Sequence, residues 1–277
     1  VMLVPASLFL LSKDDGSRIV NRDQQPPSLK SELQALRRSK TFRFTVLGYA
    51  GYAASVIGFS TFGPSIVVGL GLWTDSVRAS LAFSATLAVS GALGTPLGGL
   101  ALDAWTRRRE NKLKAALEVS IATVGAGALL ITPAAFARDR AWFLASIGLG
   151  TLPLFAATSP MNVSIFEGVP REHRAFGIAV ATLLMHAFGD VPSPIVVGRL
   201  KDRWARACAP DAHSRLGEAC GVGSKQRGHL RAITFGLCLY FLTSLVFFGV
   251  ARWRAARRIE EVVAEPPTVT PLLEEDG

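Results

Sequence analysis

The sequence predicts an all-α membrane protein in which six transmembrane helices pack into one bundle. Three observations lead there. The 277-residue chain is 49% hydrophobic, with mean hydropathy +0.34. Only 18% of its residues are charged, where soluble domains average about 25%. The charges are also clustered. Residues 44–74, 79–102, 119–137, 141–166 and 232–251 hold no Asp, Glu, Lys or Arg, and residues 175–198 hold one aspartate. These runs have the ~20-residue length that a hydrocarbon core of ~30 Å demands. A soluble core cannot hide six such helices behind so few polar faces.

The elements follow in order. Residues 1–11, VMLVPASLFLL, are apolar but too short to span, and they lack the basic start of a signal peptide. They read as the end of a helix whose beginning is missing, so the chain is expected to be the second half of a longer protein or a truncated gene product. Residues 12–43 form a basic polar linker. Within it, Leu29, Leu33 and Leu36 recur at helical spacing, which fits an amphipathic helix on the membrane surface or a solvated linker. Residues 44–254 carry the spans, at about 44–68, 79–102, 115–137, 141–166, 175–198 and 232–251. The third reaches back to 115 if Glu118 sits at the interface. Residues 255–277 are acidic and proline-bearing toward the end and read as a disordered tail.

Charge supplies a direction. The net charge is +9. Of the 30 Lys and Arg, 19 fall in residues 12–43, 103–114, 167–174 and after 251; the other 11 fall in 75–78, 138–140 and 199–231. The positive-inside rule places the first set in the cytoplasm. The excess is topological, and no nucleic-acid partner is implied. Cys208 and Cys220 lie in the last outer loop, where an oxidising environment would let them pair or leave two free thiols. Cys238, in the last span, reads as a small packing residue.

Soluble-enzyme signatures are missing. The sequence has no phosphate-cradling glycine loop, no Cys-x-x-Cys and no His-Glu-x-x-His. No catalytic set, metal or cofactor is expected. The chemistry-bearing residues lie in the spans instead. In 175–198, AFGIAVATLLMHAFGDVPSPIVVG, His186 and Asp190 share a helix face four residues apart. Pro192, Ser193 and Pro194 follow and would break the helix and let its outer end bend. Ionisable groups at bilayer depth cost about 2.5–3.5 kcal/mol on insertion scales and face cavities or partners. Counting 1.5 Å per residue from Arg174 puts His186 roughly 18 Å and Asp190 roughly 24 Å into the membrane. In the fourth span, Pro160 can bend the helix, and Asn162 offers two donors and an acceptor. Tyr49, Tyr52, Phe59 and Phe62 make the first span aromatic; among these Tyr52 is taken as a substrate candidate. Gly94 and Gly98 let helix backbones approach closely.

Residues 98–109, GGLALDAWTRRR, resemble the G-x-x-x-D-(R/K)-x-x-R-R loop of the major facilitator superfamily, through Gly98, Asp103, Arg107 and Arg108. The departure is Ala104, where the superfamily has a base, and many membrane helices end in arginines without being carriers. The string from Thr158 or Ser159 through Asn162, Val169-Pro170, Arg174, His186, Gly189, Asp190, Pro192, Ser193, Pro194 and Gly198 to Asp202 is more specific. It is similar to the tenth and eleventh helices of the Spinster branch of that superfamily.

The resemblance implies one half of a major-facilitator-type bundle, helices seven to twelve, with the stub as the end of helix six. It further implies a secondary carrier working by alternating access, with membrane lipids as neighbours and a lysolipid or sphingolipid-like amphiphile as substrate. Protons are the proposed coupling ion in some members. The missing N-terminal half would be its partner, in a plasma or endolysosomal membrane. On this reading His186, Asp190, Asn162, Ser193 and Tyr52 are substrate or coupling candidates, and Pro160, Pro192 and Pro194 supply bending points. Two alternatives remain: a carrier of a sugar or organic anion, and a non-transporting scaffold or truncated product.

Overall fold

The computed structural model describes residues 28–109, 111–208 and 224–264. The α-helices there are α1 (Leu29–Arg38), α2 (Lys40–Gly69), α3 (Ser76–Thr106), α4 (Lys112–Ile131), α5 (Arg140–Ala156), α6 (Thr158–Glu167), α7 (Arg174–Met185), α8 (Pro192–Cys208) and α9 (Ser224–Ala264). Among the described residues, six segments are long and apolar enough to cross a membrane: Lys40–Gly69, Ser76–Thr106, Lys112–Phe136, Arg140–Glu167, Arg171–Arg203 and Arg227–Arg257.

Short polar side chains start the helices by accepting from amides that have no partner in the first turn. Asp75 accepts from Val77 at 2.9 Å, Asn111 from Lys114 at 3.0 Å and Asp139 from Trp142 at 2.8 Å. The end of α2 is closed by Gly71 at φ 77°. The Gly71 amide donates to the Val68 carbonyl at 2.9 Å and the Leu72 amide to that of Val67 at 3.2 Å, the paired closure that a left-handed glycine permits.

Two boundaries differ from expectation. The first span begins at Lys40, within the stretch read as linker, because Ser39 caps it. The Ser39 hydroxyl accepts from the Phe42 amide at 3.2 Å and donates to the Gly168 carbonyl at 2.8 Å, tying the start of α2 to the end of α6. Residues 255–264, expected in the tail, continue α9. Extending an existing helix adds a hydrogen bond per residue fixed, and this Arg- and Ala-rich stretch resists that little. The stub at 1–11, the first part of the linker, residues 265–277 and Cys220, hence any Cys208–Cys220 pairing, lie outside the described residues.

The core gathers α2, α4, α5 and α9 around Tyr52, Phe59, Ile66, Leu117, Phe143, Phe241 and Phe248. The buried free thiol of Cys238 packs there. The helix α1 is anchored by Leu36, which is buried with Val46 and Val169, while Leu29 and Leu33 are exposed. The α2 helix is the most enclosed span. The α3 helix and the α7–α8 span leave most of their surface uncovered by this chain.

Candidate functional site

The α7–α8 span is not one continuous α-helix. His186–Asp190 form a π-turn, in which the Val191 amide donates to the His186 carbonyl at 3.0 Å. Pro192 and Pro194 carry no amide hydrogen, so the carbonyls four residues earlier, Phe188 and Asp190, lack their α-helical donors. The helix takes up the slack as one wide turn before the prolines rather than breaking at them. Pro192 becomes the first residue of α8, where a missing N–H costs nothing. The expected break at residues 192–194 is thus displaced by one turn onto the ionisable residues.

That turn brings the two ionisable side chains together. His186 Nδ1 is hydrogen-bonded to Asp190 Oδ2. The His186 side chain is 54% exposed and that of Asp190 21%. The other carboxylate oxygen of Asp190 is buried and has no hydrogen-bond partner among the described residues. Tyr49 of α2 lies within electrostatic reach of Asp190. Gly189 makes this approach to α2 possible, since a Cβ there would stand 2.6 Å from the Ala50 carbonyl oxygen.

Tyr49 also opens onto a recess of about 60 Å³ between α2, α6 and α7, shared with Asn162, Thr182 and Met185. The Asn162 side chain is exposed and makes no hydrogen bond among the described residues. The structure therefore pairs His186 with Asp190, and places Tyr49 and Asn162 on one recess.

Other expected site residues are committed elsewhere. The Tyr52 hydroxyl, fully enclosed, donates to the Leu154 carbonyl at 2.8 Å and ties α2 to α5. It also borders an apolar recess with Phe59, Leu87 and Phe155. Ser193 is buried and donates to the Ala54 carbonyl. Pro160 is the third residue of α6, and the fourth span breaks before it, at Ala157. In the loop motif, Gly98 is buried against α5, whereas Asp103, Arg107 and Arg108 are exposed without side-chain partners among the described residues.

The groups that anchor this loop are different ones. Glu118 of α4 accepts from Trp105 Nε1 at 2.8 Å and from Arg252 at 2.9 and 3.1 Å, with Arg109 at 3.4 Å. The ends of α3, α4 and α9 are joined through this one carboxylate. A second unforeseen group is Lys201, 6% exposed. Its ammonium donates to the Ser65 hydroxyl at 2.6 Å and sits 4.8 Å from the Phe62 ring centroid. The signal available in advance was spacing: Lys201 falls two turns after Ser193 on the face turned toward α2.

The sequence profile described as Major Facilitator Superfamily matches residues 1–194. The chain belongs to the major facilitator superfamily. Among its superfamily relatives, the chain is 32% identical over 171 residues to the probable sphingolipid transporter spinster homolog 3 of Arabidopsis thaliana, covering 62% of this chain and 32% of that protein. It is 30% identical over 175 residues to homolog 2 of the same plant, covering 63% and 35%, and 29% identical over 171 residues to homolog 1, covering 62% and 33%. The chain thus spans about a third of the length of the curated relatives that it matches. The superfamily member described here is an integral, multi-pass membrane protein, and the Spinster-like resemblance read from residues 158–202 agrees with these relatives.

Proposed function

We propose that this chain is the C-terminal six-helix half of a secondary carrier that moves a lysolipid or sphingolipid-like amphiphile by alternating access. The observation that carries the reading is the Asp190 carboxylate, which has one oxygen bonded to His186 and the other buried without a partner among the described residues. A buried acceptor without a partner is costly and marks a place where a donor arrives. An amine or hydroxyl of the substrate, or a cation of the other half, would supply it. Asn162, with both donors unused, and the exposed His186 imidazole would take the substrate's phosphate or hydroxyl oxygens.

The surroundings are consistent with an amphiphile. The recess that Tyr49 and Asn162 share is otherwise walled chiefly by Ile165, Phe166, Ile178, Ala181 and Met185, and a separate recess beside Tyr52 is lined by Phe59, Leu87 and Phe155. An acyl or sphingoid tail suits such walls, and a sugar would leave its hydroxyls unpaired there. The uncovered faces of α3 and α7–α8 are where a second half would pack, with substrate between the halves near the midplane. His186 is the candidate for proton coupling because its imidazole is exposed and bonded to the Asp190 carboxylate.

The test is a substrate panel. The full gene product carrying this sequence is reconstituted in liposomes and offered labelled lysophosphatidylcholine, sphingosine 1-phosphate, glucose and citrate. Saturable transport of either lipid, with no transport of glucose or citrate, is expected. Transport of glucose or citrate alone would favour another solute, and transport of none would favour a scaffold.

A further inference from the structure

A second, larger cavity lies on the other side of the π-turn. It measures about 310 Å³ and is framed by α8 and α9, with Ala54 of α2 at its floor. Phe188, Pro192, Val196 and Leu200 form one wall, and Ala232, Ile233, Gly236 and Tyr240 the other. Its polar atoms are few: the Ser193 hydroxyl is already bonded to Ala54, and Tyr240 stands at the edge. Gly236 leaves room, since a Cβ there would meet nothing within 4 Å.

Both walls belong to segments long and apolar enough to cross a membrane, so where the second half leaves the opening between α8 and α9 uncovered, hydrocarbon surrounds it. From Phe188 to Leu200 the wall runs about 18 Å at 1.5 Å per residue. That is close to one leaflet, half of the ~30 Å hydrocarbon core. The groove therefore has the length and lining for one acyl chain.

The end beyond Leu200 and Ala232 is basic. Arg203 extends the stripe of Pro192, Val196 and Leu200, and is exposed with no partner among the described residues. Arg199, four residues before it on α8, and Arg227, five residues before Ala232 on α9, are also exposed, and Lys201 lies on the α2 side. His229 comes one turn before Ala232 and Ile233. Asp202 is the one described acidic residue of the loop at this end. The loop of residues 199–231 keeps eight Lys and Arg on the side that the overall charge bias assigns to the outside, against the positive-inside rule.

We infer that this groove is a binding site for a resident anionic phospholipid. One acyl chain lies between α8 and α9, and the phosphate meets Arg203 and its basic neighbours. The site is separate from that of His186 and Asp190, though the tail would press on Phe188, Gly189 and Pro192, the back of the same turn. Its occupant belongs to the bilayer and is not the transported molecule.

Native mass spectrometry of the full, detergent-purified protein tests this, with phosphatidylglycerol and phosphatidylcholine of matched chains added in equal amounts. The unaltered protein should retain phosphatidylglycerol preferentially. Arg203→Glu, a surface change that needs no repacking, should cut that preference by about fivefold or more, the scale of one interfacial cation. Gly236→Trp, which fills the groove, should reduce retention of both lipids, and Gly236→Ala should leave it unchanged. Equal retention of the two lipids by the unaltered protein, or an unchanged preference in Arg203→Glu, would overturn the site. So would full retention in a Gly236→Trp protein that elutes and melts like the original.

Discussion

Gly98 of α3 lies directly against the carbonyl of Ala156, the last residue of α5: a Cβ at Gly98 would stand 1.9 Å from that oxygen. Pro160 removes the amide that would bond this carbonyl within a continuous helix. The proline and the glycine thus act together, one freeing a carbonyl and the other letting a neighbouring backbone close over it. Gly94, one turn earlier, approaches the Leu152 carbonyl in the same way. In lipid, where hydrocarbon gives little drive between helices, such close backbone contact holds a bundle together.

Gly98→Leu should therefore force α3 away from α5. The obstructing atom is backbone and cannot rotate aside, so a loss of about 1–3 kcal/mol is expected, toward the upper end of overpacking effects. Thermal unfolding of the purified protein checks this. Gly99→Ala, next in sequence with no neighbour closer than 3.9 Å, should change little.

Glu118→Gln should loosen the ends of α3, α4 and α9 at once. The amide keeps the shape and loses the charge that Arg252 and Arg109 face. A charge-assisted hydrogen bond contributes about 1.5–3 kcal/mol, and this side chain is 10% exposed. Hydrogen exchange should rise in α9 around Arg252. Unchanged protection there would mean that the carboxylate is not what joins the three helices.

Tyr49→Phe and Tyr52→Phe should separate a site role from a packing role, though the two residues sit one turn apart. Removing the Tyr52 hydroxyl deprives the Leu154 carbonyl of a partner and should cost about 0.5–1.5 kcal/mol of stability with transport kinetics kept. Removing the Tyr49 hydroxyl, on the recess it shares with Asn162, should leave stability within error and raise the KM for the lipid several-fold. Paired melting curves and uptake kinetics decide between them.

The spans were readable because a bilayer imposes length and apolarity on each segment separately. The pairing of His186 with Asp190 was readable from spacing on one helix. What was not readable depends on contacts between helices. Pro192 and Pro194 announced a disturbance, but placing it at residues 186–190 depends on Gly189 seating on Ala50. Tyr49 and Tyr52 look alike in an apolar stretch, and only the positions of α5, α6 and α7 distinguish them. Glu118 and Lys201 sit where spans end in runs of charge. The continuation of α8 turns Lys201 inward to Ser65, while the convergence of α3 and α9 encloses Glu118.

On the proposed function, the half-buried Asp190 carboxylate meets the transported lipid or its coupling partner. The most direct measurement is lipid uptake by liposomes holding the full gene product, with Asp190→Asn compared with the original protein at matched protein content and matched melting temperature. A loss of at least about tenfold in the initial rate is expected, the effect of about 1.4 kcal/mol on a transport step, with a similar loss for His186→Ala. Uptake at the original rate by Asp190→Asn would contradict it and leave the His186–Asp190 pair as a fixture of helix packing.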